Sequence, residues 1–276
     1  MKLVLTALLI LPILAFQLLQ EKTASLERKM NKNFAFIPSG LVVIGKDTST
    51  VQAFYISKLE VTNKQYLEFL KDLKLQNKLD DYQLALPDTN CWISSEKSLY
   101  NSYAKYYFSH PAYQEYPVVG VSFEAANLYA KWYSEKIENE SKGKKLIFRL
   151  PYREEFVRAC RGENLNQKYA WKENGMRNKK NMLLCNYRID GVIVGVAGHL
   201  NDNADLTTPV KSYWPNQFGI FNLNGNVAEM TNKKGIATGG SWRNEAEDVQ
   251  NESVLTYEKA LPNVGFRLVS TFVKDK

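Results

Sequence analysis

The second half of the sequence has no helical repeat of apolar residues, and this limits the fold more than any other feature. Beyond Gly162 the chain consists of short apolar runs separated by Gly, Asn, Asp and Ser, which is typical of loops and short strands. Two amphipathic helices are predicted earlier in the chain. Helices followed by a long irregular half indicate an α+β domain rather than alternating strands and helices. No glycine-rich phosphate-binding motif is present, so nucleotide binding has no support.

Capping residues and apolar spacing place the two helices. Thr62 and Gln65 have the spacing of a capping box, and the apolar residues after them repeat at helical intervals as far as Leu73. Ser122 is expected to cap a second helix, in which apolar residues repeat in the same way as far as Tyr133.

Pro151 is expected to be the first residue of a third helix, and residues 76–116 are expected to form a long insertion or ordered loop.

Shorter apolar runs predict the strands. The predicted strands are a hairpin over Phe34–Gly45 and single strands at Val51–Ile56, Pro117–Val121 and Ile147–Leu150.

The N-terminal residues have the composition of a targeting segment. One Lys precedes an apolar run of about 14 residues, the length of a secretory signal core and short for a membrane span. We expect residues 1–20 to be a signal peptide or a retained anchor, residues 21–33 a tether, and residues 34–273 one domain. The expected location is the periplasm or cell envelope, with membrane contact only through the N-terminal segment. The sequence leaves its cleavage open.

Charge and cysteine content exclude several classes of function. The net charge is +7, but the lysines are scattered rather than gathered in one stripe, so nucleic acid is not an expected partner. The spacing of Cys91, Cys160 and Cys185 does not select a disulfide pair. No Cys or Cys/His spacing suits a structural zinc site.

Several motifs follow one another within residues 34–272, from E-V-T-N-K-Q-Y at 60–66 to G-F-R-L-V at 265–269. Together they resemble the formylglycine-generating enzyme family, also called the sulfatase-modifying factors. The resemblance implies a variant of the C-type lectin fold, with two helices and much irregular chain. The segment at 109–121, S-H-P-A-Y-Q-E-Y-P-V-V-G-V, is most similar to non-catalytic envelope proteins of bacterial gliding motility and type IX secretion. The motifs are E-V-T-N-K-Q-Y at 60–66, R-L-P-Y-R-E-E-F at 149–156, N-L-N-G-N-V-A-E at 222–229, G-G-S-W-R-N at 239–244 and G-F-R-L-V at 265–269.

The reactive cysteine pair of the active enzymes is missing. By the resemblance, those positions fall on Asn244 and Val249. Neither residue can replace a thiolate, the soft ligand that Cu(I) prefers, so copper is not expected and we predict no catalytic residue. A related branch of the family uses iron bound by histidines. His110 and His199 are the only histidines here, and they are expected to be unrelated loop residues.

Calcium is the ion that the resemblance supports. It implies side-chain oxygens from Asn222 and Glu229 and backbone carbonyls from Gly225 and Val227, and hard oxygen ligands suit Ca²⁺. The alternative is a tight turn held by asparagine side chains without metal. A second implied site pairs Asn186 with either Asp202 or Asp205.

The remaining motif suggests a binding surface. Trp242, Arg243 and Asn244 lie where the family's substrate groove is expected, although a single Trp is more often a core residue. The favoured function is an exported, non-catalytic structural or binding module that contacts an envelope protein or glycan. The alternatives are a metal-dependent oxidase that uses unidentified residues and a lectin-fold protein that displays a variable ligand-binding surface.

Overall fold

A computed structural model of the protein describes residues 28–93, 101–141, 146–189 and 206–272. These residues form helices and short strands joined by long loops, as the α+β prediction requires. The α-helices are α1 (Asn63–Leu75), α2 (Leu79–Ala85), α3 (Asn101–Tyr106), α4 (Phe123–Ser141) and α5 (Arg153–Arg161). The strands are β1 (Phe34–Ile37), β2 (Gly40–Ile44), β3 (Asp47–Val51), β4 (Phe54–Ser57), β5 (Leu146–Arg149), β6 (Ala228–Met230), β7 (Ile236–Thr238), β8 (Val254–Thr256), β9 (Val264–Gly265) and β10 (Val269–Phe272).

The strands of the described residues form three sheets. The central sheet has the strand order β1-β4-β10-β5, with every neighbouring pair antiparallel. A separate hairpin joins β2 and β3. The third sheet has the order β8-β7-β6-β9, in which β6 and β9 are parallel. The candidate site loops leave from this third sheet.

The central sheet buries apolar side chains on both faces. On one face Phe34 and Phe148 lie 5.2 Å apart between ring centroids, and they pack against Tyr133 of α4. On the other face Ile56 and other strand residues pack against Phe156 of α5. The sheet therefore separates two apolar cores, and burial of these side chains is the main stabilising contribution to the fold.

The two long helices form where the sequence predicts them. At the start of α1 the Thr62 hydroxyl accepts from the Gln65 amide, and the Gln65 side chain accepts from the Thr62 amide at 3.0 Å, which completes the capping box. Tyr66 of α1 stacks on Tyr129 of α4 with 5.6 Å between ring centroids. The Ser122 hydroxyl caps α4 by accepting from the Ala125 amide at 3.0 Å.

Strand pairing differs from the sequence prediction. The predicted hairpin over Phe34–Gly45 is wrong, because β1 pairs with β4 and β2 pairs with β3. The predicted strand at Val51–Ile56 is interrupted by Gln52-Ala53, which separates β3 from β4. Pro117–Val121 is buried but forms no strand, and it has an isolated bridge between Pro117 and Thr62.

The structure adds detail at two boundaries and in one insertion. Helix α5 begins at Arg153 with Tyr152 as its N-cap, so Pro151 precedes the helix. Residues 28–33, within the predicted tether, are helical, and Met30 is buried in the larger apolar core. The 76–116 insertion contains α2 and α3. None of the helices in the described ranges is long and apolar enough to cross a membrane.

Candidate functional site

The G-G-S-W-R-N motif forms a sharp loop directly after β7. Gly239 and Gly240 have φ values of 86° and 68°, a region that glycine adopts without steric cost. A Cβ atom at Gly240 would lie 2.5 Å from the Asp248 carbonyl oxygen, and one at Gly239 would lie 2.5 Å from the Leu223 carbonyl oxygen. The absence of side chains at Gly239 and Gly240 therefore lets this loop pack closely against both neighbouring segments.

The two positions that the resemblance assigns to the copper cysteines, Asn244 and Val249, are occupied by side chains with structural contacts. Asn244 turns back on the loop, where its Oδ1 accepts from the Ser241 amide at 3.0 Å and from the Ser241 hydroxyl at 2.6 Å. Val249 is fully buried in an apolar cluster that includes Tyr169 and Cys185. Neither position presents a soft ligand.

Trp242 is a core residue rather than an exposed groove residue. Only 6% of its surface is accessible, and it packs in a cluster with Trp92, whose ring is stacked at a centroid distance of 6.4 Å. The Arg243 guanidinium lies over the Trp242 ring at 4.9 Å. Arg243 and Asn244 are half-buried. Of the three predicted groove residues, only these two reach the surface.

The cysteines supply no reactive group near the loop. No disulfide joins Cys91, Cys160 and Cys185. Burial raises the pKa of the Cys91 thiol to about 12, with a further contribution from Asp88, while Arg243 opposes the shift. Burial also raises the pKa of Cys160. Both thiols are therefore protonated at neutral pH, and a protonated thiol is a poor nucleophile and metal ligand.

The asparagine-rich turn at 222–229 lies beneath this loop and is tied to a distant segment of the chain. Asn222 and Asn226 adopt left-handed backbone conformations, with φ of 51° and 60°, which asparagine tolerates better than most residues. Their side-chain amides donate to the buried carboxylate of Glu60, at 3.3 Å from Asn222 and 2.8 Å from Asn226. The turn thereby contacts the segment just before α1.

Glu229, predicted as a calcium ligand, is instead paired with Arg267. The Arg267 Nε atom lies 2.6 Å and 2.5 Å from the two Glu229 carboxylate oxygens, and both residues are completely buried. The Arg267 Nη2 atom also donates to the Phe221 carbonyl at 2.8 Å. Burial raises the pKa of Glu229, and the Arg267 guanidinium opposes that shift.

This arrangement does not fit a calcium ion at Glu229. With that carboxylate engaged, Asn222, Gly225 and Val227 offer only neutral oxygens, whereas calcium takes six to eight oxygen ligands that normally include carboxylates. A divalent cation would also lie beside a buried guanidinium. No cluster of three or more His, Cys, Asp or Glu suited to a metal occurs in the described part of the chain.

The second predicted calcium site is only partly described. The Asn186 side-chain amide donates to the Leu206 carbonyl and, at 3.4 Å, to Asn226 Oδ1. Asn186 therefore braces the same asparagine-rich turn. Asp202 and Asp205, its two possible partners in a metal site, lie outside the described residues.

Chelation of calcium distinguishes a calcium-bound turn from a turn that asparagine side chains hold without metal. We expect the melting temperature of the purified protein to be the same in 1 mM EDTA as in 1 mM CaCl₂, within about 1 °C, because Arg267 already neutralises Glu229. A ligand that binds only the folded state raises the melting temperature, so a clear rise with calcium that the Glu229→Gln variant loses would show that the sequence-based ligand set forms and that Glu229 leaves Arg267. MgCl₂ at the same concentration controls for ionic strength.

The histidines do not form a described metal site. His110 lies on the surface, where its Nδ1 accepts from the Ala112 amide at 3.2 Å and caps a short 3-10 turn. His199 lies outside the described residues.

The fold and the glycine loop together have the form that the sequence resemblance implies, namely that of a sulfatase-modifying domain. The family model for the "Sulfatase-modifying factor enzyme 1-like domain" matches residues 20–272, and the chain belongs to this family. A mouse (Mus musculus) relative named "Inactive C-alpha-formylglycine-generating enzyme 2" is 24% identical over 310 aligned positions, covering 96% of this chain and 94% of the relative.

Two further proteins are similar to this chain, one in sequence and one in structure. The "Formylglycine-generating enzyme" of Streptomyces coelicolor is 37% identical over 117 residues, which cover 41% of this chain and 31% of that enzyme. The solved structure titled "Crystal Structure of CarF" has a TM-score of 0.58 and 22% identity, and covers 86% of this chain and 97% of that one. The predicted fold class and family membership are confirmed.

Sequence reasoning missed the residue that anchors the turn. Glu60 was considered only as part of a family motif, yet its carboxylate accepts from both asparagines of the turn. Burial raises its pKa to about 7; Glu229 adds to the shift, while Arg267 and the hydrogen bond from Asn226 oppose it. The sequence signal for this role is an acidic residue between two apolar residues, Leu59 and Val61, since a buried carboxylate requires partners.

Proposed function

We propose that this protein is a non-catalytic member of its family that acts as a structural or binding module of the bacterial cell envelope. The observation that carries the proposal is the identity and the contacts of the side chains at positions 244 and 249. Asn244 is hydrogen-bonded to Ser241 within its own loop, and Val249 is fully buried among apolar side chains. A copper centre of the family type requires thiolates at both places.

The comparisons support the same conclusion. The mouse relative that aligns over nearly the whole chain is named as inactive, whereas the similarity to the bacterial enzyme covers less than half of this chain. Removal of the reactive sulfurs leaves the glycine loop, the asparagine-rich turn and both cores intact. A domain that keeps the family fold but lacks the reactive cysteines is suited to binding or assembly.

Two sequence features support the proposed placement in the envelope. The apolar N-terminal segment favours export, and the 109–121 segment is most similar to gliding-motility and type IX secretion proteins. The proposed partners are an envelope protein or a glycan. Fractionation of native cells, followed by cross-linking and mass spectrometry, tests this placement. Recovery with cytoplasmic markers alone would contradict it.

The catalytic part of the proposal is tested with a formylglycine assay. We expect the copper-loaded, purified protein to convert no cysteine in a sulfatase-type peptide above a no-protein control, because no soft ligand stands at Asn244 or Val249. The Streptomyces coelicolor enzyme serves as the positive control, and mass spectrometry of the peptide gives the readout. Stoichiometric copper together with product would overturn the proposal.

A further inference from the structure

A cavity of about 240 Å³ that opens to solvent shares no lining residue with the glycine loop. It is lined by the end of the helical residues 28–33, the end of β4, α4 and the loops that carry Lys211 and Phe221. Its apolar lining consists of Phe34, Leu59, Val61, Tyr129, Tyr133, Phe221 and Leu268. This volume is many times the minimum of about 10–15 Å³ that one water molecule needs, so the cavity suits a small organic molecule.

Three lysines line the same cavity, and among the residues that the structure describes they are its only charged lining residues. Lys32 and Lys211 are exposed, and Lys58 is half-buried with its Nζ donating to the Asn31 carbonyl at 2.6 Å. No Asp or Glu lines the cavity, and in the described part of the chain neither Lys32 nor Lys211 takes part in an ion pair. Lysine ammonium groups are positively charged donors, so the lysines and the apolar lining together complement an anionic head on an apolar body.

The wall that carries Lys58 is held in place by the backbone. The Lys58 amide donates to the Asn33 carbonyl at 2.9 Å, and the Phe221 amide donates to the Lys58 carbonyl at 2.9 Å. The Leu268 amide donates to the Ser57 hydroxyl at 3.2 Å. These bonds join the N-terminal helical residues, β4, Phe221 and Leu268, so this wall of the cavity is held in place without a ligand. Preformed apolar pockets with a few polar groups are typical of small-molecule sites.

We propose that this cavity is a binding site for a small amphiphilic organic anion. The head group, a single carboxylate, contacts Lys32, Lys58 and Lys211, and the alkyl or aromatic body packs against Tyr129, Tyr133 and the other apolar lining residues. Burial of the body supplies affinity through the hydrophobic effect, and the lysines select for negative charge. This inference is independent of the proposed function, since the cavity shares no lining residue with the glycine loop.

Isothermal titration calorimetry of the full chain with octanoate and 3-phenylpropionate tests the proposal. We expect saturable binding of at least one of these carboxylates with one site per chain, and binding that is at least about tenfold weaker for the matched neutral alcohol, octan-1-ol or 3-phenylpropan-1-ol. Affinity is expected to fall as NaCl is raised, because salt screens the exposed lysines. Absence of saturable binding by both carboxylates, or equal binding of the alcohols, would overturn the proposal.

Matched variants locate the site. The double substitution Lys32→Met and Lys211→Met is expected to weaken carboxylate binding by about tenfold, in keeping with two exposed charge pairs. Lys71→Met, which removes the same charge from an exposed position on α1, is expected to leave binding unchanged. Leu59→Trp, which fills the cavity from its half-buried edge, is expected to abolish binding while the melting temperature stays close to that of the original chain. Equal weakening by Lys71→Met, or full binding by a folded Leu59→Trp variant, would show that the carboxylate binds elsewhere.

Discussion

Replacement of Arg267 by Met is expected to lower the free energy of unfolding by about 3–5 kcal/mol, the usual cost of removing one partner of a buried ion pair. Arg267 and Glu229 are both inaccessible to solvent, and the guanidinium contacts both Glu229 oxygens as well as the Phe221 carbonyl. Without Arg267 the Glu229 carboxylate has no counter-charge in the core. Because whole-domain stabilities are typically about 5–15 kcal/mol, this single change brings the protein close to unfolding.

Urea denaturation at pH 7 measures the effect. The double variant with Arg267→Met and Glu229→Gln is the matched control, and we expect it to recover much of the loss because position 229 then carries no charge that needs a partner. Arg267→Lys keeps the charge but loses the forked contact, so an intermediate stability is expected. A loss of unfolding free energy below about 1 kcal/mol for Arg267→Met would mean that the Arg267–Glu229 ion pair contributes no more than an exposed pair does.

Replacement of Glu60 by Gln is expected to remove a pH dependence of stability between about pH 4.5 and 7. Glu60 is buried beside Glu229 and Arg267, so one guanidinium serves two carboxylates, and burial raises the pKa of Glu60 from 4.5 to about 7. The folded protein therefore holds a proton on Glu60 at pH values where the unfolded chain has released it. The resulting stability is complete below pH 4.5 and is lost as the pH rises through 7.

The difference in unfolding free energy between Glu60→Gln and the original chain gives the measurement. We expect this difference to shift in favour of the variant by about 3 kcal/mol between pH 4.5 and 8, at about 1.4 kcal/mol per unit of pKa shift. Glu138→Gln, at an exposed position on α4, removes a carboxylate without burial and is expected to give a flat difference. A flat difference for Glu60→Gln as well would place the Glu60 pKa in its ordinary range.

Local sequence signals predicted the helices because their determinants lie within a few residues of each other. The capping box at Thr62 and Gln65 and the hydroxyl cap at Ser122 both form as expected. The family motifs also predicted the glycine loop and the turn, since Gly240 and Asn222 adopt conformations that few other residues tolerate.

Strand partners and electrostatic partners could not be predicted in the same way. Strand β1 pairs with β4 rather than with β2, its neighbour in the chain, and no local pattern distinguishes the two. Glu229 binds Arg267, 38 residues away, and Glu60 lies 166 residues from Asn226. The sequence predicted that oxygens of the turn bind a metal cation. It did not reveal that the positively charged partner of Glu229 is the Arg267 guanidinium.

The position of β10 has a consequence for the order of assembly. This strand lies between β4 and β5 in the central sheet, although the chain completes β4 at Ser57 and does not reach β10 until Val269. Until residues 269–272 have been synthesised, β4 and β5 have no strand to join them, and the core around Phe156 lacks Val269. Contacts of such long sequence separation are typical of slow folding. A nascent chain of this domain therefore cannot complete its central sheet until synthesis has passed Phe272.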